Sequence, residues 1–175
     1  VILISGSGSN LQSIIDNAEE IDLDIQAVIS NKQEAYGLKR AQDANIRTHT
    51  LNHKQFSTRE AFDQQLSQII DQYNPGIIIL AGFMRILTTE FTQKYSGKML
   101  NIHPSLLPKF TGLNTHQRAL DAGESEHGVS IHFVTDELDG GPIIAQSHVK
   151  VLKNDTADSL AKRVLIEEHK LFPKV

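Results

Sequence analysis

Val1-Ile2-Leu3-Ile4-Ser5-Gly6-Ser7-Gly8-Ser9-Asn10-Leu11 opens the chain. Four apolar residues run into a loop of serine, glycine and asparagine. Leu11, Ile14, Ile15 and Ala18 then recur at helical spacing. Strand, tight loop and helix form the first half of a βαβ unit, and the pattern repeats. Strands are predicted at residues 25–29 and 48–51, with a helix over 34–44 between them. Ser57-Thr58-Arg59-Glu60 has the form of a capping box and opens a helix that runs to about Tyr73. Asn74-Pro75-Gly76 ends it. Residues 76–81 are apolar on both faces, as expected of a strand covered on both sides. The alternation predicts an α/β fold: a doubly wound, mostly parallel sheet with helices on both faces. After Met99 the pattern changes. Strands near 99–102, 129–134 and 143–149 lack full helices between the later ones, which predicts a mixed sheet edge. A last helix is predicted over 156–170.

At 175 residues the chain is expected to be a single domain with a full core. Val1 lies inside an apolar run with no initiator Met, and Val175 directly follows a helical pattern, so both ends are expected to be truncated. The net charge of −4 gives no general pull toward nucleic acid or an anionic membrane. The longest apolar runs are far short of the ~20 residues of a membrane span. With no cysteine there is no disulfide framework and no thiolate nucleophile. None of the eight histidines forms the His-x-x-x-His pair of a helical zinc site, and no metal is expected.

The loop from Ser5 to Asn10 suits an anion. Small residues let backbone N–H groups approach it, and the following helix points its positive dipole end at it. A Walker A loop would need Lys-Ser/Thr after the second glycine, and there is none. A dinucleotide loop would need a small residue at Leu11 and an acid after the second strand, where Ser30-Asn31-Lys32 stands. A phosphate monoester fits better.

Asn101-Ile102-His103-Pro104-Ser105-Leu106-Leu107-Pro108 carries the chemistry. Alternation along a strand puts Asn101 and His103 on one face, about 7 Å apart. An amide and an imidazole side by side can grip one oxygen and trade one proton. Pro104 ends the ladder, so the pair is expected at an accessible rim. Two prolines four residues apart predict a cis bond at Leu107-Pro108. A capped loop would have the same composition, and a second stretch decides against that reading. Thr135-Asp136-Glu137-Leu138-Asp139-Gly140-Gly141-Pro142 follows an alternating strand, and Asp139 is the last acid before two glycines. A carboxylate there can orient a histidine from a neighbouring strand. His116, His127 and His132 lie in the same part of the sequence.

With these three motifs the chain resembles the phosphoribosylglycinamide formyltransferases, folate-dependent enzymes with a Rossmann-like sheet. Ala81-Gly82-Phe83-Met84-Arg85-Ile86-Leu87 and Glu167-Glu168-His169 strengthen the likeness. The resemblance implies a catalytic triad of Asn101, His103 and Asp139. It implies contacts to the ribonucleotide from Gly8, Ser9, Asn10 and Glu168. It places the co-substrate, 10-formyltetrahydrofolate, against Arg59, Met84, Arg85, Ile86, Leu87, Thr135, Asp136, Glu137, Leu138 and the triad residues Asn101 and Asp139. The implied reaction is formyl transfer to glycinamide ribonucleotide in the cytoplasm, with no nucleic acid or membrane partner. Formyltetrahydrofolate hydrolysis and non-catalytic folate or nucleotide binding are the alternatives. Methionyl-tRNA formyltransfer should need a basic appendage, which is absent from this acidic sequence. Where the family usually reads Pro-Gly-Leu-His-Thr-His, this chain has Thr111-Gly112-Leu113-Asn114-Thr115-His116.

Overall fold

A computed structural model describes all 175 residues, Val1–Val175. The chain runs β1 (Ile2–Ile4), α1 (Ser9–Asn17), β2 (Ala27–Ser30), α2 (Tyr36–Asp43), β3 (Arg47–Thr50), α3 (Arg59–Asp71) and β4 (Ile78–Leu80). It continues with α4 (Thr89–Lys94), β5 (Met99–His103), α5 (Thr115–Asp121), β6 (Glu126–Phe133), β7 (Ile143–Lys150) and α6 (Ala157–Leu171). One seven-stranded sheet has the order β3-β2-β1-β4-β5-β6-β7. The first five strands are mutually parallel, and β6 and β7 pair antiparallel at one edge. This is the doubly wound sheet with a mixed edge that the sequence predicts.

Alternation along β1 splits the core in two. Ile2 and Ile4 pack with Leu11, Ile14, Leu38, Leu160 and Val164, under α1, α2 and α6. Leu3 packs with Phe62, Leu66, Ile70 and Phe91, under α3 and α4. Burying each such side chain is worth about 1.5–3 kcal/mol, and both faces of β1 contribute. The two short helices, α4 and α5, are absent from the sequence expectation. Six and seven residues hold too few turns to show a period.

Two local expectations change. Ser57 does not cap α3. Thr58 does, its Oγ1 accepting from Ala61 N at 3.1 Å, so Glu60 falls one place short of the box position. The capping box belongs instead to α6, between Thr156 and Ser159. The first helix also starts two residues earlier than its apolar spacing suggests. Gly8 is its N-cap at φ 71°, so Ser9 and Asn10 form its first turn.

Candidate active site

The reversal of strand order lies between β1 and β4, where β2 goes one way and β5 the other. Crevices beyond the carboxyl ends of strands at such a point are where ligands bind in open α/β sheets. The loops after β1, β4 and β5 all leave from that edge.

Along β5, Met99 joins the α3–α4 core and Ile102 joins the opposite one. Asn101 and His103 therefore share the Met99 face, as predicted. Antiparallel pairing sets His132 of β6 opposite Asn101 and Ser130 opposite His103. The His132 Nδ1–H donates to the Phe133 carbonyl at 2.9 Å. That leaves Nε2 as an acceptor, 3.1 Å from Asn101 Nδ2. Burial lowers the His132 pKa, favouring the neutral ring that this acceptance requires. One Asn101 amide hydrogen is thus committed to His132, and the other is free to meet a ligand.

Asp139 reaches the same spot from the β6–β7 loop, at φ 53°. The loop can return this tightly because a Cβ on Gly141 would lie 1.8 Å from the Phe133 carbonyl oxygen. That close approach, rather than general freedom, is what the second glycine supplies. Asp139 Oδ2 lies 3.5 Å from His103 Nδ1, and Oδ1 lies 3.8 Å from His132 Nε2. Gly112 N–H donates to Oδ2 at 2.8 Å.

The expected accessible rim is only half realised. Asn101 is half-buried and lines the cleft, but His103 is 6% exposed. Its Nε2–H donates to the Phe110 carbonyl at 2.8 Å. The segment after Pro104 folds back over the imidazole, with a cis bond at Leu107-Pro108 as anticipated. Asn114, where the family usually has histidine, caps α5 at φ 56°, a conformation asparagine tolerates well. Next to it, His116 Nδ1 and His127 Nε2 lie 3.1 Å apart. Burial, the largest cause, pushes the His127 pKa down to about 4.

One cleft collects most of the residues that the resemblance assigns to folate: 85–87, Asn101 and 135–139, with Leu80, Phe83 and His132 behind them. Met84 and Arg59 are not among its lining residues. The Met84 side chain is exposed, and its N–H donates instead to Ser5 Oγ at 2.7 Å. Arg59, at the start of α3, is exposed. Near it is a group that the sequence did not flag, Asp63. It is buried, accepts from Thr88 N–H at 2.7 Å, and has its pKa raised by burial against the pull of Arg85 and Arg59. Arg85 lies over the Phe62 ring and buries an Nε without a partner.

The glycine loop is built of backbone. A Cβ on Gly8 would meet Gly37 Cα of α2 at 2.5 Å, and Gly37 N–H donates to the Gly6 carbonyl at 3.0 Å. Gly8 is thus explained by packing and positive φ, whereas at Gly6 an added Cβ would meet nothing within 4 Å. The N–H groups of Ser9, Asn10 and Leu11 find no acceptor in the protein. Asn10 Nδ2 donates to Glu168 Oε2 at 2.7 Å, and burial raises the Glu168 pKa. Two residues assigned to the ribonucleotide, 158 positions apart in sequence, are therefore in direct contact. His132 is the functional candidate that lacked an assigned role. The clue was its two-residue spacing from Ser130, which mirrors Asn101 and His103 on the partner strand.

The formyl transferase family matches residues 1–175. Phosphoribosylglycinamide formyltransferase of Escherichia coli K12 is 54% identical over 177 residues, which cover 100% of this chain and 84% of that protein. The human trifunctional purine biosynthetic protein adenosine-3 is 47% identical over 174 residues, covering 98% of this chain and 17% of its own length. Among solved structures, phosphoribosylglycinamide formyltransferase from Coxiella burnetii, in complex with CHES, superposes with a TM-score of 0.95 at 54% identity. It matches 99% of this chain and 82% of that one.

Proposed function

Because this chain belongs to the formyl transferase family, we propose that it is a phosphoribosylglycinamide formyltransferase of purine biosynthesis, residues 1–175 lying in a single formyltransferase domain. It moves the formyl group of 10-formyltetrahydrofolate to the glycyl amine of glycinamide ribonucleotide, with the cytoplasm as its compartment. The observation that carries this reading is the meeting of Asn101, His103, His132 and Asp139 beside one cleft, on the sheet edge that also holds the glycine loop.

In the reaction the amine nitrogen bonds to the formyl carbon and the carbonyl becomes a tetrahedral oxyanion. The free amide hydrogen of Asn101 donates to it. Protonated His103 is the second donor, once its Nε2–H is released from Phe110. A well-aimed donor of this kind is worth roughly 3–4 kcal/mol in the transition state. Asp139, on the other side of the ring, lies 3.5 Å from Nδ1 and orients the imidazole. Collapse breaks the bond to the folate nitrogen. That nitrogen gains a proton as the amine loses one, through His103, Asp139 or water between them.

Formyltetrahydrofolate hydrolysis would use the same corner but has no phosphorylated acceptor. The unpartnered N–H groups of Ser9, Asn10 and Leu11 favour transfer. The test is formyl release measured with and without glycinamide ribonucleotide. Transfer predicts turnover only with the acceptor present. Equal turnover in its absence identifies a hydrolase, and folate binding with no turnover in either case identifies a binding module.

A further inference from the structure

The glycine loop has no cation of its own. Arg40, one turn into α2, reaches it from outside. Its Nε–H donates to the Ser7 carbonyl at 2.9 Å and its Nη1–H to Gln12 Oε1 at 3.1 Å. The guanidinium lies over the Tyr36 ring, 4.9 Å from the centroid. Gln12 is held in turn by donating to Asp16 Oδ1 at 2.8 Å. Both acceptors of Arg40 are neutral. Asp43, the acid on the same helix, is paired with Lys39 instead. Nη2 makes no hydrogen bond in the protein.

For the protein alone this placement is adverse. Ser7 and Gln12 flank the start of α1, where the helix dipole is positive and three N–H groups lack acceptors. A cation there is repelled by the dipole. On α6, His169 keeps a buried Nε2 without a partner. Burial first, and the Arg40 charge second, lower its pKa. Donors thus gather around one loop, and neither nearby carboxylate pairs with Arg40: Glu168 accepts from Asn10 and Asp16 from Gln12. A phosphate dianion turns each of these repulsions into an attraction.

We propose that Arg40 is a phosphate-binding residue. Its Nη2 and its charge meet the phosphate monoester of the acceptor, while Nε and Nη1 hold the loop through Ser7 and Gln12. The proposal rests on the phosphate-loop reading above and adds to it the one cation that the loop itself lacks.

The test uses the full chain, with thermal melting in inorganic phosphate beside steady-state formyl transfer. Wild type should melt higher as phosphate is added. Arg40→Gln should lose most of that rise and raise the acceptor KM about tenfold or more, the loss of a charge-assisted bond, with little effect on kcat or the folate KM. Without phosphate it should melt only slightly below wild type, because the lost contacts to Ser7, Gln12 and Tyr36 lie at the surface and a repulsion by the dipole is removed with them. Arg40→Lys keeps the charge and should keep most of the phosphate response. An undiminished phosphate response in Arg40→Gln overturns the proposal and leaves the loop as a phosphate site. Loss in Arg40→Lys as great as in Arg40→Gln overturns the role of charge. No phosphate response in wild type overturns the phosphate loop and this proposal together, while acceptor-dependent transfer could still stand.

Discussion

The β5–β6 corner and the glycine loop lie on the same sheet edge but are built in opposite ways. The corner is made of side chains. Asn101, His103, His132 and Asp139 orient one another, and the backbone's task is to bring them within reach. The loop is made of backbone. Its shape depends on what is missing at Gly8, where a Cβ would strike Gly37. The first region should therefore be sensitive to the chemistry of a few side chains. The second should tolerate a change of side-chain chemistry at Ser9 but not an added carbon at its tightest point.

The sharpest way to test this contrast is at His103. His103→Ala should lower kcat by roughly 10²–10⁴-fold, the range for a lost acid–base or oxyanion group. Asp139→Asn should give a loss of the same order. His103 is buried, so its loss leaves a cavity. Circular dichroism and melting should show a folded protein that has lost some stability to a cavity. Near-wild-type turnover in either variant would break the triad assignment.

Gly8→Ala comes next, and its effect should be on stability. The new methyl combines a positive φ with a 2.5 Å clash against backbone, so a loss of about 2–4 kcal/mol is expected in denaturant unfolding. Ser9→Ala, its neighbour, should change stability by less than about 0.5 kcal/mol. If Gly8→Ala is as mild as Ser9→Ala, the loop is not shaped by glycine packing.

His132 sharpens the comparison from the side of the corner. His132→Phe removes the acceptor that holds the Asn101 amide. An effect on kcat of about tenfold, with folate KM nearly unchanged, would mark the imidazole as a positioning group. A change confined to KM would instead make it part of the folate wall.

The last test is a pH dependence at His127. Its folded pKa is pushed down to about 4, below the ordinary value of 6.5. The unfolded chain therefore binds the proton more readily. The neutral ring's contribution is complete above about pH 6.5 and is lost as pH falls toward 4. Melting temperature should drop across that window, and His127→Asn should flatten the drop. His116, also lowered by burial, adds to the same slope.

What was legible in the sequence follows the same division. Strand and helix order showed through because β1 and β4 are short unbroken apolar runs, buried on both faces, and the longer helices carry a clear 3.6-residue period. Asn101 and His103 were legible because two-residue spacing on a strand fixes a shared face. The partnership of Asn101 with His132 was not, since it depends on antiparallel register between strands 31 residues apart in sequence. The burial of His103 depends on the path from Pro104 to Gly112, and no local period encodes that path. The second loop glycine looked like a ligand feature and is required by α2, a contact visible only once the helices are packed.

Ser5 has one further consequence. Its hydroxyl donates to Asn31 Oδ1 at 2.5 Å and accepts from Met84 N–H at 2.7 Å. One small side chain ties together the loops after β1, β2 and β4. The floor under both proposed ligands is therefore joined through one hydroxyl. The cover over His103 is held differently, by the Phe110 carbonyl and the Gly112 amide meeting His103 and Asp139 across the site. Freeing His103 Nε2–H for a ligand therefore requires the cover, and not the floor, to let go.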